Sequence, residues 1–98
     1  LESIHELHLE LIDVFKNDGF NGYEIVFSVQ GQRFCFLTGN TKHPFPLNVK
    51  HQFAEKDICR LCGKNIYAAP IGHQLCAYFQ RNMRELLQYF LTTHKDRF

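Results

Sequence analysis

A chain of 98 residues that is 45% hydrophobic and carries ten Phe has enough apolar surface for one core and one domain. Its formal net charge of +1, with 21% charged residues, excludes both a disordered polyelectrolyte and a strongly basic nucleic-acid arm. No apolar run approaches the roughly 20 residues of a membrane span. No secretory signal is visible, which points to an intracellular protein of the cytoplasm or nucleus.

The small net charge hides a division. Residues 1–41 hold Glu2, Glu6, Glu10, Asp13, Asp18 and Glu24 against Lys16 and Arg33. Residues 42–98 hold nine bases against Glu55, Asp57, Glu85 and Asp96. A basic half can leave an electrostatic footprint on a near-neutral protein, although two ordinary solvated faces would look the same.

Along the chain, Ile4, Leu7, Leu11, Val14 and Phe15 recur at helical spacing, with Glu2, Glu6 and Glu10 every four residues on another face. The pattern predicts an amphipathic helix from Leu1 to about Lys16 with an acidic outside, ended by Asn17-Asp18-Gly19. Tyr23, Ile25, Phe27 and Val29 then alternate with polar residues, and a second aromatic run, Gln32 to Thr38, follows Gln30-Gly31. Two such runs about a glycine turn predict a hairpin, and apolar groups on both its faces predict cover on both sides. His43-Pro44-Phe45-Pro46 reads as a loop, since alternating prolines exclude a helix and a central strand. Leu47 to Lys56 fits either a short strand or an irregular crossing. From about Gly72 to Thr92 the stripe Leu75, Cys76, Phe79, Met83, Leu86, Leu87, Phe90 and Leu91 predicts one long helix.

The narrowest signal is Cys59-Arg60-Leu61-Cys62-Gly63-Lys64 followed by His73-Gln74-Leu75-Cys76, a C-x2-C-x10-H-x2-C pattern. Zinc takes four soft-to-borderline ligands in a tetrahedron, and two cysteines spaced by two can bind one ion from a single tight turn. Gly63 lets the backbone fold back with its amides toward sulfur. His73 and Cys76, three apart at the start of the last helix, would both project from its first turn. One structural Zn2+ per chain, held by Cys59, Cys62, His73 and Cys76, is the expectation, with His51 and His94 as reserve ligands. Two disulfides, or a redox C-x-x-C, are the competing uses of these cysteines. Cys35, between Phe34 and Phe36, has no partner at ligand spacing and reads as a small core hydrophobe.

A knuckle, a short hairpin over residues 65–71 and a helix resemble the treble-clef group of zinc fingers over about residues 57–90. Cys62-Gly63-Lys64 and Gly72-His73-Gln74-Leu75-Cys76 look like the ligand-bearing ends of GATA-type fingers, and the H-x2-C pair resembles half of a LIM finger. A GATA-type finger would place its fourth cysteine where Phe79 stands, and LIM spacing between pairs is longer. What the resemblance implies is a metal site and a local fold, not a target.

Taken together, residues 1–98 read as a single zinc-stabilised α+β domain. An N-terminal helix on a β-hairpin forms residues 1–56, and a treble-clef-like zinc unit with a long C-terminal helix forms residues 57–98. Four protein ligands leave zinc no open position, and neither paired carboxylates nor a nucleophile motif is present, so the chain is read as not an enzyme. The first functional reading is nucleic-acid binding of a DNA-binding, transcription-regulator type. Arg81 and Arg84 would sit on the exposed side of the helix after the zinc, with Lys64 and Arg60 toward phosphate. The second is a protein-interaction or adaptor module, with contacts from the acidic helix, the Phe-rich hairpin and Phe45 or Phe53. Partners are accordingly nucleic acid or another protein, with no membrane and no small-molecule substrate.

Overall fold

A computed structural model describes residues 4–17, 19, 21–68 and 74–98. A 3-10 turn at Ile4–Glu6 precedes the strands β1 (Leu9–Asn17), β2 (Gly22–Val29), β3 (Gln32–Gly39) and β4 (Phe45–His51). A two-stranded ribbon follows, β5 (Asp57–Ile58) with β6 (Asn65–Ile66), then helices α1 (Ala77–Arg81) and α2 (Met83–Thr93) and a last 3-10 turn at Lys95–Arg97. The four long strands form one antiparallel meander in the order β1-β2-β3-β4. The fold class is therefore α+β, with C-terminal helices packed on a sheet.

No N-terminal helix is present among the described residues: Leu9–Asn17 is an edge strand paired with β2. The register slips between Leu11 and Asp13, so Ile12 is the extra residue of a β-bulge. That single insertion shifts the inward set from Leu9 and Leu11 to Val14, a spacing that mimics a helical stripe. The β-branched and aromatic side chains of Ile12, Val14 and Phe15 suit a pleated surface better than a helix.

The hairpin forms where the glycine turn predicts it. Val29 faces Gln32, and Gln30 and Gly31 both take positive φ (52° and 80°), the two-residue turn whose twist matches the strands. The prolines exclude a central strand but not an edge one. Phe45–His51 pairs with β3 from the outside, and the register slips at Leu47, beside Pro46, where a ladder donor is missing. The long predicted helix starts later, at Ala77 after an extended Gln74–Cys76 segment, and is broken once. The Asn82 amide donates to the Phe79 carbonyl at 3.0 Å, and its side chain donates back to the Tyr78 carbonyl at 2.7 Å, closing α1 tightly before α2 begins.

One face of the sheet carries the core. Tyr23, Ile25, Phe27, Val29, Phe34, Phe36 and Val49 meet Phe79, Leu86, Leu87 and Phe90 of the helices, and Ile4 and Leu7 close one end. Leu11 and Met83 are half-buried at its margin. Phe27 and Phe34 stack at 5.6 Å between ring centres, and the edge of Phe79 meets both at 5.3 and 5.0 Å. The opposite face has no described element against it, so the expected cover on both sides is not found. Val26 and Cys35, opposite each other there, are nevertheless buried.

Candidate metal centre

The site begins with the free edge of β4. His51 N–H donates to the Gln74 carbonyl at 2.9 Å, and Cys76 N–H donates to the Val49 carbonyl at 3.0 Å, an antiparallel bridge centred on Lys50 and Leu75. The Val49 amide, also on this edge, donates to Gln80 Oε1 at 2.7 Å. This bridged segment ends at Cys76, which is also the residue before α1. Two side chains, His51 and Cys76, are thereby set side by side from segments 25 positions apart in the sequence.

The other two donors come from the turn between β5 and β6. The Gly63 amide donates to the Cys59 carbonyl and the Cys59 amide to the Lys64 carbonyl, both at 2.9 Å, and Gly63 takes φ +77°, a conformation that glycine adopts without strain. The Cys62 amide points at Cys59 Sγ, 3.4 Å away. Buried Gln32 fixes this knuckle to the sheet. Its side-chain amide donates to the Ile58 carbonyl at 2.8 Å and to Asp57 Oδ2 at 3.2 Å, and its oxygen accepts from the Arg60 amide at 3.0 Å.

The ligand atoms of His51, Cys59, Cys62 and Cys76 all lie within 4.8 Å of one another. Cys59 Sγ is 4.0 Å from Cys76 Sγ, and Cys62 Sγ is 3.4 Å from His51 Nε2. Tetrahedral zinc with bonds of about 2.3 Å to sulfur and about 2.0 Å to nitrogen spaces its donors by roughly 3.5–3.8 Å, so the cluster fits the ion. The imidazole is oriented as a ligand should be. Nδ1 is 2.6 Å from the Gln74 carbonyl, which can only accept, so Nδ1 carries the proton and Nε2 is free to ligate. His51, Cys59 and Cys76 are buried and Cys62 is half-buried.

Electrostatics within the cluster favour sharing of charge. Hydrogen bonding to Cys76 above all, and further to His51 and the Cys62 and Leu61 amides, brings the Cys59 thiol down to about 3 against the effect of burial. Cys76 is pushed up, first by that same bond to Cys59 and then by burial. A thiolate beside a thiol is what two adjacent sulfurs adopt without a cation between them, and a divalent ion lets both ionise.

This donor set is that of one structural Zn2+ per chain, and knuckle, ribbon and following helix make it a treble-clef-type zinc-binding module. Four protein donors complete the tetrahedron and leave no position for water or substrate, as in structural rather than catalytic zinc sites. Comparison with protein-family models, with curated proteins and with solved structures finds no match.

Three of the four expected ligands, Cys59, Cys62 and Cys76, are brought together; His73 lies outside the described residues. His51, held in reserve by the sequence, supplies the fourth donor. Its only sequence signal was its place two residues after buried Val49, on the inward side of an alternating strand. His94 is elsewhere, with its ring 6.1 Å from that of Phe90 and 6.4 Å from that of Tyr89. Cys35 stays apart from the metal, and burial first, then Glu24, raises its thiol.

The basic candidates fall on different parts of the surface. Arg81 and Arg84 are exposed and border one shallow depression beside Pro46. Lys64 is exposed on the knuckle. Arg60 is exposed too, but its guanidinium donates to the Gln30 carbonyl at 2.9 Å. Gln74 of the extended segment before α1, and Gln80 and Asn82 of the helical segment, bond inside the molecule to Tyr67, Val49 and Tyr78. Phe53 is buried, so it supplies no contact surface, whereas Phe45 is half exposed. Among the described residues no helix is long and apolar enough to cross a membrane.

Proposed function

We propose that this small zinc-binding domain binds nucleic acid through the helices that follow the metal. The observation that carries the reading is the placement of Arg81 and Arg84. Both are exposed, neither has an ion pair or hydrogen bond among the described residues, and they flank the Asn82 break. Cys76 anchors the start of that helical segment to the metal and to β4, so the arginines project from a backbone of fixed direction, which groove or phosphate recognition requires. With Gln74, Gln80 and Asn82 engaged internally, phosphate contact by arginine is a better match than a row of base-reading amides. Lys64 adds charge from the knuckle, and Arg60 adds charge from a side chain already held by the hairpin turn.

Binding of random duplex DNA and of RNA, titrated against salt, tests the reading. The parent binds with a steep salt slope. Arg81→Ala/Arg84→Ala loses affinity and flattens that slope by about one unit per phosphate contact, with zinc content unchanged. A parent protein that binds neither nucleic acid at low salt removes the reading and leaves protein interaction in its place.

A further inference from the structure

The sheet face that no described element covers is where this chain differs most from a solvated surface. Residues directly opposite in an antiparallel pair share a face, and both residues of a bulge oppose the same partner. By that rule Ile12 and Phe15 of β1, Val26 of β2, Cys35 and Leu37 of β3, and Phe45 and Leu47 of β4 share the outer face. Leu75, paired across from Lys50, extends it. Seven large hydrophobic side chains are exposed among the described residues, and five of them, Ile12, Phe15, Phe45, Leu47 and Leu75, belong to this one face. Phe45 lies over Gly39, its cross-strand neighbour, where any side chain would collide with the ring. Four strands about 4.8 Å apart and some five residues long give a patch of order 14 by 17 Å, too concentrated for scattered surface apolarity.

The charges on the same face are sorted by strand. Glu10 on β1 and Glu24 on β2 lie on one half, beside Asp13, which Arg97 of the same chain holds in an ion pair at 3.2 Å, and Arg33 on β3 and Lys50 on β4 lie on the other. Such a face is its own complement. A twofold axis parallel to the strands and between β2 and β3 carries each half onto the opposite half of a second copy. In the central row it sets Val26 against Cys35 of that copy, and Arg33 comes within reach of Glu10.

We propose that the open sheet face is a self-association surface, and that its occupant is a second copy of this chain related by that twofold axis. The association is isologous, so each contact occurs twice, and the two sheets form a sandwich with both helix layers turned outward. It rests on the sheet face alone and is independent of what the helices bind.

Sedimentation analysis of the zinc-loaded protein over a concentration series reads the association directly, and two charge variants identify the face. Arg33→Glu sets an acid against Glu10 of the other copy, and Glu10→Lys sets a base against Arg33 of the other copy. Each is expected to weaken self-association by about 100-fold or more through like-charge contacts. An equimolar mixture of the two variants then forms a one-to-one heterodimer. Phe15→Ser/Leu47→Ser, at exposed positions that the monomer fold does not need, weakens the dimer without altering charge and serves if a charge variant misfolds. A parent that stays monomeric overturns the inference. So does a dimer that all the variants retain, or a pair of charge variants that fail to recombine.

Discussion

Replacing His51 by alanine removes one of four zinc ligands, the hydrogen bond to the Gln74 carbonyl, and a ring packed 5.5 Å from Phe34 and 5.3 Å from Phe53. Structural zinc contributes about 10–16 kcal/mol in small fingers, so an even share per ligand is about 2.5–4 kcal/mol. As an affinity this is a loss of roughly 60- to 700-fold. Competition with a chromophoric chelator measures it. Cys62→Ser should weaken binding at least as much, while Cys35→Ala and His73→Ala should hold zinc as the parent does. Parent-like affinity in His51→Ala together with a large loss in His73→Ala would refute the reasoning, and His73 would then be the ligand.

Phe79 is fully buried against Phe27 and Phe34, so Phe79→Ala should cost about 3–5 kcal/mol in denaturant unfolding. Gln32→Ala leaves the Ile58 carbonyl and the Arg60 amide without their partner, which should cost about 1–3 kcal/mol and loosen the knuckle, read as a lower Tm of the zinc-loaded protein. Zinc binds only thiolates and a neutral imidazole, so protons compete with it. Affinity should therefore fall as pH is lowered and recover on return to neutrality, followed by a zinc-sensitive dye.

How much of this was legible in the sequence depended on how far apart the cooperating residues lie. The turn at Gln30-Gly31 and the knuckle at Cys59–Gly63 are local, since a few adjacent residues fix each backbone, and both stand where the residue types place them. Cys76 was readable as a ligand but not in its setting: it ends the extended segment bridged to β4 and precedes the helix, instead of projecting from a first helical turn. His51 as a ligand was not, because its partner segment, Gln74 to Cys76, reaches it through backbone hydrogen bonds that carry no side-chain signature. The first strand was misread for a different reason. One bulged residue, Ile12, displaces the inward row, and a period of two with one insertion is hard to tell from a period of 3.6 over nine residues. The break at Asn82 lies inside an apolar stripe that continues on both sides, so only the asparagine marked it.

The meander β1-β2-β3-β4 joins each strand to its neighbour in sequence, whereas the donors His51, Cys59, Cys62 and Cys76 come from the sheet edge, the knuckle and the segment before α1, which a metal would have to bring together. Short-range pairings can organise the early barrier, and closure around the ion comes late. Interactions absent from the transition state govern how slowly a protein comes apart more than how quickly it assembles. In this chain the zinc should therefore act as a kinetic lock. Chelation would leave the refolding rate of the sheet nearly as it was and shorten the lifetime of the native state.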